Sequence, residues 1–199
     1  MLSLPSIVLV CLLRGVNIGG SKPMKMATLS QLFTKLGFLN VKTYIQSGNV
    51  VFSRPESHAI PMSDLMKHIQ ENIDDEFGYS NLPLSIRTFE EIQSIVTGNP
   101  YLNRKGVDPK RLHVTFLASP MASSTIEAFP SELKADLDEL ITLKDTYSVT
   151  TSRREVYLHT PNGYARTKVE NNAIEKALGI AATTRNWNTC NKLYEMMKL

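Results

Sequence analysis

Cysteine and long apolar runs are scarce in this chain, and each scarcity excludes a class of protein. Two cysteines in 199 residues, Cys11 and Cys190, allow at most one bridge, so a disulfide framework does not hold the fold. Neither has a CxxC companion, and His58, His68, His113 and His159 are scattered without metal-ligand spacing, so no structural zinc site is written in the sequence. The longest apolar run, Ile7 to Leu13, is far short of the roughly 20 residues that span a bilayer, so no membrane partner is expected. The stretch before it lacks the basic start and small-residue cleavage site of a signal peptide, which places the expected protein in the cytoplasm. Charge of one sign is also lacking. There are 22 Lys and Arg against 19 Asp and Glu, 8 against 8 in residues 1–100 and 14 against 11 in the remainder. A pI near 8.8 falls just below the basic footprint of a dedicated nucleic-acid binder.

What is present is an ordered alternation of strand and helix patterns. Ile7 to Leu13 reads as a strand buried on both faces. Leu29, Leu32, Phe33 and Leu36 recur at helical spacing, and Gly37 stops that helix. Val41, Thr43 and Ile45 alternate with Lys42, Tyr44 and Gln46. Ser47-Gly48-Asn49 then turns the chain into Val50-Val51-Phe52, a hairpin pattern. Met62, Leu65, Met66, Ile69 and Ile73 form a second helical stripe, and Leu84-Ser85-Ile86 a fourth strand.

The order βαββαβ recurs in the second half. Leu112, Val114 and Phe116 mark a strand; Leu133, Leu137, Leu140 and Ile141 a helix; Tyr147–Val149 and Val156–Leu158 a hairpin around the tip Thr151-Ser152-Arg153-Arg154. Thr167 and Glu170 fit a capping box that opens a helix through Ala173, Ile174, Ala177 and Leu178. A short strand follows at Ala182 to Thr184, and a final helix runs from about Trp187 to Met197. The expected fold is therefore α+β: two ferredoxin-like, split βαββαβ units with antiparallel sheets, plus a C-terminal helix. The expected division is 1–97, a linker 98–110 carrying the Gly98-Asn99-Pro100 and Gly106-Val107-Asp108-Pro109 turn chemistry, and 111–199. The first and third strands of each unit should be central and apolar on both faces.

Three segments concentrate polar chemistry. Arg14-Gly15-Val16-Asn17-Ile18-Gly19-Gly20-Ser21-Lys22 joins a buried strand to a helix, where backbone N–H groups and the helix dipole can hold an anion. Arg14, Asn17, Ser21, Lys22 and Lys25 crowd polar side chains into this loop, and Gly19 and Gly20 let the main chain approach a ligand. The alternative is a tight turn, with glycines serving only the backbone. The loop resembles a phosphate-binding P-loop, but Ser21-Lys22 reverses the required order, and the spacing does not match GxGxxG, so neither nucleotide motif is present and no cofactor is implied. The second segment, Thr183-Thr184-Arg185-Asn186-Trp187-Asn188, has Asn186 placed to cap the last helix and Arg185 beside its positive end. Trp187 reads as a core anchor. The third is the turn with Ser47 and Asn49.

The strings Leu13-Arg14-Gly15-Val16-Asn17-Ile18-Gly19-Gly20, Tyr44-Ile45-Gln46-Ser47-Gly48-Asn49, Asn99-Pro100-Tyr101, Asp108-Pro109-Lys110-Arg111-Leu112-His113 and Ala182-Thr183-Thr184-Arg185-Asn186-Trp187 resemble the family of uncharacterised bacterial proteins known as domain of unknown function 1697. The resemblance implies a cytoplasmic α+β protein without an established activity, and it sets the glycine loop, the SGN turn and the TTRNW segment among the family's signatures. The residues themselves suggest a phosphate-bearing ligand, a nucleotide or nucleic acid, held by Arg14, Asn17, Gly19, Gly20, Lys22, Lys25, Ser47, Asn49, Arg185 and Asn186. Arg14 and Arg185 are expected on one concave basic surface. The alternative is an enzyme acting on a small anionic or phosphorylated metabolite, with the same cations stabilising charge.

Overall fold

Ser6–Leu13 forms strand β1, and its last five residues are wholly buried, as a central strand requires. The computed structural model describes residues 6–122, 146–149 and 152–198. Helix α1 (Met26–Lys35) follows and buries Leu29, Leu32 and Phe33, while Leu36 sits at its C-cap, only partly buried. Gly37 then takes the left-handed φ of +86° that ends the helix. Strands β2 (Leu39–Tyr44) and β3 (Asn49–Pro55) make the hairpin, α2 (Met62–Phe77) buries Leu65, Ile69 and Ile73, and β4 (Leu84–Thr88) completes the unit. Met62 and Met66 fall outside the apolar stripe of α2 and are exposed.

The first sheet runs β2-β3-β1-β4, entirely antiparallel, so the first and third strands are central as the apolar patterns require. Leu9, Cys11, Leu13, Val50, Phe52 and Leu84 pack under the helices with Phe33 and Phe38. Phe33 meets Phe52 edge-on at 5.1 Å.

Helix α3 (Phe89–Thr97) adds an element to the expected order. Its start is a capping box: Glu91 Oε2 accepts from Thr88 N at 2.8 Å, and Thr88 Oγ1 accepts from Glu91 N at 3.3 Å. Turns then occupy the chain up to a single 3-10 turn at Pro109–Arg111, where Asp108 caps Lys110 N at 2.9 Å. Strands β5 (Leu112–Leu117), β6 (Thr146–Val149), β7 (Glu155–His159) and β8 (Ala182–Asn186) form the second sheet in the order β6-β7-β5-β8, again antiparallel. Every residue of β7 is buried, so this third strand of the second unit is central and covered on both faces, as the split order requires.

Helix α4 (Asn171–Leu178) packs Ile174 and Leu178 on Val156, Leu158, Leu117 and Ala182. The expected capping box does not form. Glu170 is itself the N-cap residue without a side-chain cap, and Thr167 Oγ1 accepts from Val169 N, two residues on, at 3.0 Å. The expected helix with Leu133, Leu137, Leu140 and Ile141 lies outside the described residues, as does Thr151. Helix α5 (Trp187–Met197) closes the chain.

The two sheets and their helices constitute two ferredoxin-like units of α+β class. Compactness divides the chain into Met1–Gln93 with Leu193–Leu199, and Ser94–Lys192. Among the described residues, no helix is long and apolar enough to cross a membrane.

Candidate functional site

The loop after β1 is built around Asn17. This residue sits at φ +56°, in the left-handed region that asparagine tolerates better than most side chains. Its Nδ2 donates to Met24 O at 2.8 Å and to Gln46 O at 2.9 Å, while its Oδ1 accepts from Met24 N at 2.8 Å. One side chain thus closes the loop's base and ties it to the β2–β3 turn. Ile18 and Ser21 form an isolated antiparallel bridge, making Gly19-Gly20 the two-residue turn of a miniature hairpin. Their φ values of +56° and +78° are what such a turn demands, and a Cβ at either would meet nothing within 4 Å. These glycines serve backbone conformation and face open space.

Gly48 is glycine for another reason. A Cβ there would lie 2.6 Å from Leu13 Cβ and 2.7 Å from Val16 Cγ2, and its φ is +71°. Gly48 O also accepts from Leu13 N at 2.8 Å. The glycine loop and the SGN turn are therefore one packed assembly at one end of the first sheet. Asn49, the first residue of β3 and fully buried, donates from Nδ2 to Tyr44 O at 3.1 Å and to Ser47 Oγ at 2.8 Å. Ile45, expected to face inward on β2, instead lies past its end at φ +47°, exposed. The Tyr79 phenol, pushed above its ordinary pKa by burial, donates to Pro23 O at 2.6 Å, and Arg14 N donates to Pro83 O at 2.9 Å. Both contacts brace the same loop from the α2–β4 connection.

Within this assembly the structure brings together Arg14, Asn17, Gly19, Gly20, Lys22, Lys25, Ser47 and Asn49. Asn17 and Asn49 use their amide groups to hold the loops. Arg14 is half-buried at the loop's root; Lys22 is half-buried and Lys25 exposed. Lys25 is the N-cap of α1, which has no side-chain cap and no acidic residue in its first turn. A helix start leaves backbone N–H groups unsatisfied and carries partial positive charge, so this end favours an anion.

Arg185 and Asn186 belong to the second unit. Asn186 Oδ1 accepts from Thr189 N at 2.8 Å and so caps α5. The Arg185 guanidinium, buried, donates from Nη1 to Thr183 Oγ1 at 2.7 Å and to Thr184 O at 3.0 Å. Trp187 is buried, as a core anchor should be.

His58 and His113 are built into packing. His58 stacks on Phe38 at 4.7 Å and bonds Leu36 O through Nε2 at 2.9 Å. His113 lies 4.7 Å from the Tyr164 ring and 3.4 Å, through Nδ1, from Thr160 Oγ1. The Cys190 thiol, fully buried, has its pKa pushed up to about 12 by that burial. Among the described residues no group of three or more His, Cys, Asp or Glu gathers to hold a metal.

A family model described as "Protein of unknown function (DUF1697)" matches residues 8–147, which is most of the chain and contains the whole loop assembly. The chain belongs to the DUF1697 family. Among solved structures, this DUF1697 protein is similar to the conserved bacterial protein SP0830 from Streptococcus pneumoniae, at 20% identity and a TM-score of 0.69, over 98% of this chain and 100% of that one. That likeness bears on the fold. No curated protein matches the chain.

Proposed function

We propose that this DUF1697 protein binds a phosphate-bearing ligand at the loop joining β1 to α1. The observation that carries the reading is the start of α1: a helix N-terminus on Lys25 with no side-chain cap and no carboxylate in its first turn, at the end of a loop locked in place by Asn17. An uncapped positive end is a ready anion site when cations flank it. Lys22 and Lys25 flank this one, and neither makes an ion pair among the described residues. Binding is favoured over catalysis because His58, His113 and Cys190 are committed to packing. A cytoplasmic setting belongs to the same reading, supported by Cys11 and Cys190 being buried thiols that form no disulfide.

The test is thermal unfolding with inorganic phosphate, mononucleotides and a chloride control. A ligand at one hundred times its Kd stabilises the folded state by about 2.7 kcal/mol, a readily measured shift. Phosphate-bearing ligands should stabilise the wild type, and Lys22→Gln with Lys25→Gln should remove the shift. Arg14→Ala should weaken binding by about 1–3 kcal/mol, the scale of a lost hydrogen bond to a charged group. Arg185→Ala should lower stability before it lowers affinity, because its Nη1 is already engaged. No stabilisation by any phosphate compound, or an equal shift in the double variant, overturns the reading.

A further inference from the structure

The even balance of charge in the first hundred residues conceals a segregation. Residues 1–55 contain six Lys and Arg and no Asp or Glu, and Glu56 is the one carboxylate before Asp64. The acids come afterwards: Asp64, Glu71, Asp74, Asp75 and Glu76 on α2, Glu90 and Glu91 on α3. Since α1 packs beside β2, and α2 beside β4 at the opposite edge of the sheet, the sequence asymmetry becomes a spatial one. The α1–β2 flank is basic and the α2–β4 side acidic.

Around the β2 edge Lys25, Lys35 and Lys42 are exposed and Lys22 half-exposed, Lys42 standing opposite Val51 on the sheet face away from α1, so that the flank wraps this edge; none of the four makes an ion pair among the described residues. Lys25 and Lys35 stand at the two ends of α1, roughly 15 Å apart at about 1.5 Å per residue. That is several times the axial spacing of about 3.4 Å between phosphates on a nucleic-acid strand. A single phosphate cannot engage both ends; a polyanion can.

The flank is also unusually apolar. Ile18 is 65% exposed, Ile45 52% and Leu39 48%, the three most exposed large apolar residues described, and Leu39 and Ile45 bracket β2. The bond from Asn17 to Gln46 places the loops of Ile18 and Ile45 side by side. Strand addition at the β2 edge is opposed by the register shift between Leu39 and Lys42 and by Lys42 itself, the devices that blunt edge strands. The partner is therefore met through side chains rather than through backbone pairing. Nor is a sheet face open as a stacking platform, since all seven residues of β3 and the last five of β1 are buried.

We propose that the α1–β2 flank of the first unit is a docking surface for single-stranded nucleic acid, its phosphates tracked by Lys22, Lys25, Lys35 and Lys42 and its unpaired bases lying against Ile18, Leu39 and Ile45. This rests on the phosphate-binding reading of the loop and extends it from one phosphate to a strand. A single strand fits better than a duplex, because base pairing hides the faces that apolar side chains contact. Recognition through charge and apolar contact carries little sequence preference and depends strongly on salt.

The experiment is anisotropy of fluorescein-labelled 12-nucleotide oligothymidylate and oligouridylate with the full chain, over a salt series, for wild type and for Lys35→Gln with Lys42→Gln. The wild type should bind with a log–log salt slope of about −2.8, roughly 0.7 for each of four neutralised phosphates. The double variant should bind more weakly, with a slope of about −1.4, while its thermal response to inorganic phosphate stays that of the wild type. A duplex of the same length should bind less tightly. Oligonucleotide binding unaffected by the double substitution, or absent while phosphate still stabilises the protein, overturns the strand proposal and leaves the loop reading intact. Loss of both responses in the wild type overturns both. Tighter association with anionic phosphatidylserine vesicles or an acidic peptide, or self-association of the chain through the flank, assigns the surface to that partner and overturns the proposal.

Discussion

Asn17 Nδ2 lies 2.9 Å from Gln46 O, and this one hydrogen bond joins two segments separated by 29 residues into a single loop assembly. The same amide closes on Met24 in both directions, donating to its carbonyl and accepting from its N–H. Asn17→Ala removes all three bonds and leaves a left-handed residue without the side chain that favours it. The expected loss is about 2–4 kcal/mol, from net bonds of about 1 kcal/mol each plus strain, read as a lower urea midpoint. Asn17→Asp should be at least as damaging, since it sets a carboxylate oxygen against two carbonyl oxygens. An unchanged midpoint in either variant would show that the loops hold together without Asn17.

Gly48 and Gly20 separate two uses of glycine. Gly48→Ala forces a methyl to within 2.7 Å of both Leu13 and Val16 at a φ of +71°. Overpacking and backbone strain together should cost about 3 kcal/mol or more. Gly20→Ala meets open space and only the left-handed penalty, about 1–2 kcal/mol. Melting temperatures should fall in that order, and equal falls would mean that the close approach of the SGN turn to β1 does not matter.

Much of this was legible in the sequence because central strands and helix stripes leave strong periodic marks. Leu9, Val10, Leu12, Val51, Val114 and Phe116 are all fully buried where a split βαβ order demands. What failed to show was which capping motif closes, and the chemistry made by distant pairing. Thr88 and Glu91 form the capping box that sequence spacing assigned to Thr167 and Glu170, because local geometry, not the motif alone, decides whether the two side chains reciprocate. Asn17 looked like a ligand donor, and its use as a clamp depends on Gln46, which no local pattern connects to it. The charge segregation is written in residues 1–55, but the even balance of 8 against 8 across residues 1–100 conceals it.

Cys190 offers a probe of the second unit's rigidity. Its thiol is fully buried, and burial raises its pKa to about 12, with the nearby positive charge of Arg185 opposing that shift. Thiolate is the reactive form, so at pH 8 the native protein should react with a disulfide reagent far more slowly than the unfolded chain. Cys11, also buried, should behave alike. Cys190→Ser would keep the volume but bury a hydroxyl, costing about 1–3 kcal/mol if its hydrogen bond is poor. Rapid titration of one thiol equivalent in the native state would mean that the unit opens on the timescale of the reaction.

His113 gives the stability a pH dependence whose sign follows from its surroundings. Burial, chiefly, disfavours the imidazolium, and the charge of Arg111 adds to this, while a hydrogen bond with the Arg111 backbone works the other way; the net effect lowers its pKa below the ordinary 6.5. A histidine whose folded-state pKa lies below its unfolded value binds fewer protons when folded, so stability rises with pH across that interval. The contribution is complete above pH 6.5, and it drains away as pH falls from there towards the folded-state pKa. His113→Gln cannot be protonated and should be less sensitive to acid than the wild type. Urea midpoints from pH 7.5 to pH 5 should therefore decline more steeply for the wild type, the two curves running parallel only above about pH 7. The other histidines are common to both proteins and cancel in the difference. Parallel curves down to pH 5 would mean that the contact with Tyr164 and Thr160 leaves the imidazole as easily protonated as in the unfolded chain.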